Sequence, residues 1–218
     1  MPQIFSPSAN TLLRLVLLGV IAVPLIVIGF GMAYERSGYA TGVGFTVDQT
    51  VPFSHKHHIG DEGLDCRYCH SGVETSAVAG VPATEVCMTC HSQLWTNAAM
   101  LAPVRDSLAA GTPLRWTRVN DLPDYVYFDH SIHVAKGVGC TTCHGEVETM
   151  PLMRKATTMT MGWCLDCHRA PERYLRPPEA VFATNWTPPA NQPTQGMLLL
   201  HRYAIEREHL TDCSVCHR

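Results

Sequence analysis

One continuous apolar run dominates the amino-terminal end of the chain: Leu15 to Ala33, LVLLGVIAVPLIVIGFGMA, nineteen residues without a charge. Such a run is long enough to cross a bilayer as one helix, and Pro24 at its middle is tolerated there with a kink. A cleaved leader is the competing reading. Gly31-Met32-Ala33 is only a weak small-x-small site and the run exceeds the usual signal core, so residues 1–35 are expected to form a cytoplasmic tip and a retained transmembrane anchor. Arg14 before the run and Glu35 and Arg36 after it provide little charge asymmetry to orient it. Beyond the run, periodic patterning fades. A short helix is expected near Ala98–Leu108, ended by Gly111-Thr112-Pro113, and another from Gly196 to Leu210, with Leu198, His201, Ile205 and His209 on one face. Between them Pro171, Pro177, Pro178, Pro188, Pro189 and Pro193 predict an extended surface strap. The expected fold is mainly α with extensive loops and little sheet.

Such a chain lacks the material for an ordinary protein-only core, and its cysteines say what replaces it. All ten fall in five copies of Cys-x-x-Cys-His: Cys66-Cys69-His70, Cys87-Cys90-His91, Cys140-Cys143-His144, Cys164-Cys167-His168 and Cys213-Cys216-His217. This is the attachment pattern of c-type haem, in which two thiols form thioethers and the adjacent histidine becomes the proximal iron ligand. Five disulfides would leave the trailing histidines unexplained, and zinc sites of four sulfurs do not divide ten cysteines. Five haems, each a large apolar plate, would let short loops fold around them as small domains fold around metals. The net charge of -3 gives no reason to invoke a nucleic-acid partner.

The motifs are organised by an internal repeat. Phe53-Ser54-His55-Lys56-His57-His58 precedes the first motif and Phe128-Asp129-His130-Ser131-Ile132-His133 the third, both containing Phe-x-His-x-x-His. Val73-Glu74-Thr75 follows the first motif and Val147-Glu148-Thr149 the third, and a further motif follows each tripeptide. The copies are offset by 74 to 77 residues throughout. Two related two-haem modules are therefore expected, module one at 53–96 and module two at 126–176, with a fifth haem at 196–218. All would lie in one extracytoplasmic domain, 36–218.

Five proximal histidines leave His55, His57, His58, His130, His133, His201 and His209 for the sixth iron positions. A single histidine is most often a surface or satisfied core residue. Here five irons need ligands and the pair occurs twice, so His55, His58, His130 and His133 are expected to be distal ligands. Their spacing places each pair on one helical turn, where two side chains can reach two different haems. Phe53 and Phe128 would pack on porphyrin faces or edges. For the fifth iron, His57 and His209 are both candidates. Met159 and Met161 could instead give one His/Met haem, though gap-filling is the commoner role of methionine.

With these residues assembled, the chain resembles the pentahaem cytochrome c subunit of alternative complex III, a bacterial quinol:acceptor oxidoreductase. The resembling segments are FSHKHHIGDEGLDCRYCHSGVETSAVAGVPATEVCMTCHSQLW, DLPDYVYFDHSIHVAKGVGCTTCHGEVETMPL, MTMGWCLDCHRAPERYLRP and LTDCSVCHR. The paired histidines also look like those of the class III multihaem cytochromes. The resemblance implies an electron-transfer subunit of the bacterial inner (cytoplasmic) membrane, with its haem domain on the periplasmic side. Partners would be menaquinol-oxidising membrane subunits, an iron–sulfur subunit, and a monohaem cytochrome or soluble carrier as acceptor.

Two other readings carry less weight. In a single-helix quinol dehydrogenase the first haem would lie against the membrane, but thirty-two residues separate Ala33 from Cys66. In a nitrite or hydroxylamine reductase one iron would keep an open position, often at a motif with Lys for His, whereas all five motifs here end in His. Pyridine haemochrome analysis of the purified chain is expected to return five haems c per polypeptide, with no zinc. A smaller number would overturn the assignment of one haem to each motif.

Overall fold

The computed structural model describes residues 4–217, which fall in two compact units divided between Val43 and Gly44. The first is one long helix, α1 (Pro7–Glu35), followed by a single turn, α2 (Gly38–Thr41). Pro7 opens α1, where its missing N–H costs nothing, and Pro24 lies inside it. At 29 residues it is about 43 Å long, more than a hydrocarbon core requires. None of its side chains is buried, and Leu15, Ile21, Ile26 and Phe30 stand open. It is long and apolar enough to cross a membrane.

The second unit has no strands among the described residues, only two isolated bridges, Thr46 with Arg154 and Val138 with Leu175. It consists of short helices: α3 (Cys66–Cys69), α4 (Thr84–His91), α5 (Ala102–Ala110), α6 (His130–Ala135), α7 (Cys140–His144), α8 (Met161–Arg169), α9 (Gln192–Arg202) and α10 (Cys213–Cys216). A π-helical turn at Lys56–Asp61 stands where the first histidine pair lies. The two copies of the repeat thus differ, since the second pair sits on the α-helical α6.

Among the described residues the buried core has only eleven hydrophobic side chains, and two small clusters hold the elements. Val51, Leu101 and Val104 pack behind the second motif with Met88, Leu114 and Trp116. A buried Thr84–Ser107 hydroxyl pair at 2.7 Å ties α4 to α5 there. Leu175, Leu199 and Leu200 pack beside the third motif with Val138 and Tyr203. The expected connector helix is present, as a 3-10 turn at Ala99–Leu101 running into α5, and Gly111 stops it with a φ of 62°.

The strap and the last helix depart from expectation. Residues 171–191 include 3-10 turns at Pro171–Arg173 and Pro178–Ala180. Helix α9 begins before Gly196 and stops at Arg202, with His209 in a separate 3-10 turn. The break follows from Tyr203, whose hydroxyl donates to Arg176 O at 2.8 Å while its own carbonyl accepts from Lys136 Nζ at 2.7 Å. Those bonds pull the chain off the helix axis, and Ala204 takes a φ of 48°. Helix α9 lies flat on the 171–173 turn because Gly196 has no side chain: a β-carbon there would overlap the Glu172 carbonyl. Gln192 bridges the same junction, donating to Glu172 O and Leu175 O at 3.1 and 2.9 Å. Gly196→Ala is accordingly expected to cost about 1–3 kcal/mol of stability, the usual cost of overpacking, read as a lowered denaturation midpoint. An unchanged midpoint would show that α9 can lift off this turn at no cost.

Candidate functional site

Each Cys-x-x-Cys pair occupies one turn of helix, within α3, α4, α7, α8 and α10. A separation of three places both sulfurs on one face, so that they can address one edge of a planar group. Asp65 caps α3 by accepting from Arg67 N at 2.8 Å, and Thr160 caps α8 through Trp163 N. The histidine that ends each motif has its Nδ1 engaged. His70 Nδ1 meets Gly80 O at 2.6 Å, His91 Leu94 O at 3.2 Å, His168 Leu210 O at 2.7 Å and His217 Tyr125 O at 3.1 Å. A neutral ring that donates from Nδ1 turns its Nε2 lone pair outward, as a metal ligand must. At His144 the neighbour is Asn120 Nδ2 at 3.0 Å, while Asn120 Oδ1 is buried without a partner. Turning that amide over presents its oxygen to Nδ1–H, the arrangement a metal-bound ring requires.

The two histidine pairs are built alike. Phe53 stacks on His58 (4.3 Å, 21°) and meets His55 edge-on (4.9 Å, 86°). Phe128 stacks on His133 (4.5 Å, 28°) and meets His130 edge-on (4.7 Å, 87°). The phenylalanines therefore sit on the imidazoles and hold each pair with its rings nearly crossed. His58 Nδ1 bonds Ser54 O at 2.9 Å and His133 Nδ1 bonds Asp129 O at 2.7 Å, equivalent positions in the repeat. His130 Nδ1 reaches instead to Ala77 O of the first module, at 2.8 Å.

Three of these imidazoles face a motif histidine. Ring centroids lie 6.1 Å apart for His58 and His91, 6.4 Å for His130 and His144, and 6.2 Å for His133 and His168. Metal–imidazole bonds of about 2 Å put the centroids of two trans rings about 6 Å apart. His55 lies within electrostatic reach of His70. Burial, then the nearby His70, His58 and His144 rings, hold it down to about 4. Burial also holds His144 to about 4 and lowers His133. All three are neutral near pH 7, with a lone pair free to bind.

Neighbouring motifs lie within electrostatic reach of one another. Burial and the adjacent Cys87 thiol raise Cys69, linking the first and second motifs. A hydrogen bond from Cys140 pulls the Cys66 thiol down to about 7 and pushes Cys140 up, linking the first and third. Burial, with Cys167 and Cys164 nearby, pushes Cys143 up to about 12, and Cys164 is raised by burial and by Cys216. Proximity outlasts any change in the sulfurs' chemistry. The string runs second, first, third, fourth, fifth.

The remaining candidates are placed differently. His57 stacks on Trp95 (5.5 Å, 11°), with its Nδ1 3.7 Å from Asp61. His209 is exposed, its Nδ1 3.1 Å from Asp212 Oδ2, and it lines a cavity of about 370 Å³ with His201, Met197 and Ile205. Met161 is exposed at the start of α8, and Met159 takes a φ of 51°. Sequence reasoning missed Asn120, the Ala77 carbonyl and the ring-on-ring role of the phenylalanines. The repeat of Phe two residues before the first histidine was the only available signal for the last.

Residues 51–102 and 126–218, about two thirds of the chain, match the pattern of cytochrome c7 and related cytochrome c. The chain belongs to that family. It is also similar to the multihaem cytochrome c subunit of menaquinone reductase from Nitratidesulfovibrio vulgaris (strain Hildenborough), 36% identical over 98 residues. That match covers 44% of this chain and 46% of the relative, so the chain spans about half the length of the relative it matches.

A cytochrome of this family carries covalently bound c-type haem, and the donor set fits it. Paired thiols on one helical face, imidazoles whose Nδ1 atoms are held by backbone carbonyls and facing ring pairs together meet its needs. The apolar surroundings fit as well: Tyr68, Val78, Val81, Leu94 and Ile132, near the motifs and the histidine turns, are exposed where a flat apolar group could cover them. When bound, haem supplies one-electron exchange at its iron. Within each motif the two cysteines would hold the group through their sulfurs, and the imidazoles with held Nδ1 atoms would present Nε2 to its iron. His130→Ala is expected to free one axial position, so that the reduced protein binds about one carbon monoxide per chain. His57→Ala is expected to bind none. Absence of binding in the first variant would sever His130 from any iron.

Proposed function

We propose that this chain is an electron-transfer subunit with five c-type haems, one per motif, anchored by α1 in the bacterial cytoplasmic membrane. The carrying observation is the set of three facing imidazole pairs, each joining a repeated histidine turn to a motif. By these pairs His58 serves the second haem, His130 the third and His133 the fourth. His55, the equivalent of His130, then serves the first through His70. Met159 and Met161 are not needed at the fourth iron, because His133 stands opposite His168.

For the fifth iron His209 is the better candidate. Its Nδ1 is held by the Asp212 carboxylate, as backbone carbonyls hold Nδ1 of other candidate histidines. His57 is committed to Trp95 and has only a longer approach to Asp61. Saturated histidine ligation suits a relay at rather low potential and leaves no iron open to substrate.

The motif order gives the relay two ends, the second haem in module one and the fifth at the carboxy terminus. We assign residues 36–218 to the periplasmic side. The similarity to the menaquinone reductase subunit supports a place beside quinone-reactive membrane subunits. The resembling segments further support alternative complex III, with menaquinol-oxidising and iron–sulfur subunits as donors and a monohaem cytochrome or soluble carrier as acceptor.

The exposed single helix α1 is what favours the other reading, a quinol dehydrogenase with its own quinol site. A purified full-length chain mixed with a reduced menaquinone analogue separates the two. Under the relay reading its haems stay oxidised on the timescale in which membranes holding the intact complex reduce them. Rapid reduction of the isolated chain would establish the self-sufficient dehydrogenase instead.

A further inference from the structure

Arg176 is 3% exposed, the most buried charged side chain among the described residues. All its partners are neutral. Nη2 donates to Thr141 Oγ1 at 2.6 Å and to Thr142 Oγ1 at 3.3 Å, and Nη1 donates to Ala183 O at 3.1 Å and Ala180 O at 3.4 Å. The guanidinium lies 4.4 Å over the Trp186 ring, and Nε is buried without a partner. No carboxylate pairs with it among the described residues. Burying an unpaired charge costs several kcal/mol, and an apolar residue of similar volume would fill the space more cheaply. A purely structural clamp does not explain the charge.

Its position does. Thr141 and Thr142 are the two residues between Cys140 and Cys143 of the third motif. Gly139 closes the approach on the other side: a β-carbon there would collide with the guanidinium. The positive charge is therefore fixed against the helical turn that carries both sulfurs. At the next motif the sign reverses. Glu172, a half-buried carboxylate, is among the groups that raise the Cys167 thiol after burial itself, and Arg207 approaches it only to 3.8 Å.

We propose that Arg176 sets the potential at the third motif, its fixed charge favouring the state with one added electron on the group attached at Cys140 and Cys143. No proton moves and no bond changes: the electron arrives from a neighbouring site in the string, and the guanidinium offsets its charge. This rests on the five-haem reading. A buried unit charge at an effective dielectric near 20 is worth on the order of tenfold in that equilibrium, which for one electron is about 59 mV.

Spectroelectrochemical titration of the full chain, with haem content measured alongside, tests it. Arg176→Gln is expected to lower the midpoint of one haem by about that amount, while Arg176→Lys keeps the charge and leaves it in place. Thr142→Asp retains the guanidinium but sets a carboxylate beside it, and is expected to lower the same midpoint should Arg176→Gln fail to assemble. Unaltered midpoints in the charge-removing or charge-cancelling variant would overturn the proposal. So would an equal shift in Arg176→Lys, which would point to fork geometry instead of charge. A wild-type chain with fewer than five haems would overturn the five-haem reading, a distinct result.

Discussion

An imidazole offers a metal one nitrogen, and it does so in a fixed direction only when the other nitrogen is held. Nδ1 of His70, His91, His168 and His217 meets a backbone carbonyl, and so does Nδ1 of His58, His130 and His133. Those carbonyls come from loops, which explains why so much of this domain is irregular. A regular helix or sheet consumes its own carbonyls. A loop such as 72–80 can hold Val78, Ala79 and Gly80 in the turn that carries Gly80 O to His70 and Ala77 O to His130. The shortage of secondary structure is thus a requirement of the site.

The same constraint couples the modules. His130 belongs to the second Phe-x-His-x-x-His turn, yet its acceptor Ala77 O lies in the first module, and the His130 and Ser131 backbone amides bond Ala77 O and Ser76 O. Lys56 N bonds Met150 O in the opposite direction. Gly60 permits the turn at 56–61 to lie against the Glu148 backbone, since a β-carbon there would overlap it. Neither copy of the repeat completes its hydrogen bonding alone. The repeat therefore specifies an interlocked pair and not two beads on a string.

Much of this is legible in the sequence, and what is not legible has a physical reason. Covalent and metal chemistry is local, so the five motifs and the repeated histidine turns can be read directly. The single apolar run likewise predicts α1. The helix expected at 196–210 breaks at Tyr203 because of bonds to Arg176 and Lys136, residues far away in sequence, and no glycine marks the stop at Ala204. Asn120 and His144 are brought together across an irregular connector, where neither period 2 nor period 3.6 applies. The phenylalanines are expected from the sequence to pack on porphyrin faces or edges, and the structure shows them against the imidazoles of their own turns. Stacking on an imidazole or on a porphyrin demands the same residue at the same spacing.

Charge adds a last constraint. A core assembled from eleven apolar side chains cannot cheaply hold a bare guanidinium, yet Arg176 is held by two threonines, two carbonyls and a tryptophan face beside the third motif. Those five contacts converge from helix α7 and the proline-rich strap. The strap's irregular course, with 3-10 turns at 171–173 and 178–180, is what delivers Ala180 O and Ala183 O to the guanidinium. Proline fixes the backbone without supplying N–H groups that would compete for those carbonyls. The segment that looks least informative in the sequence thereby positions the one buried positive charge found among the described residues, midway along the string of motifs.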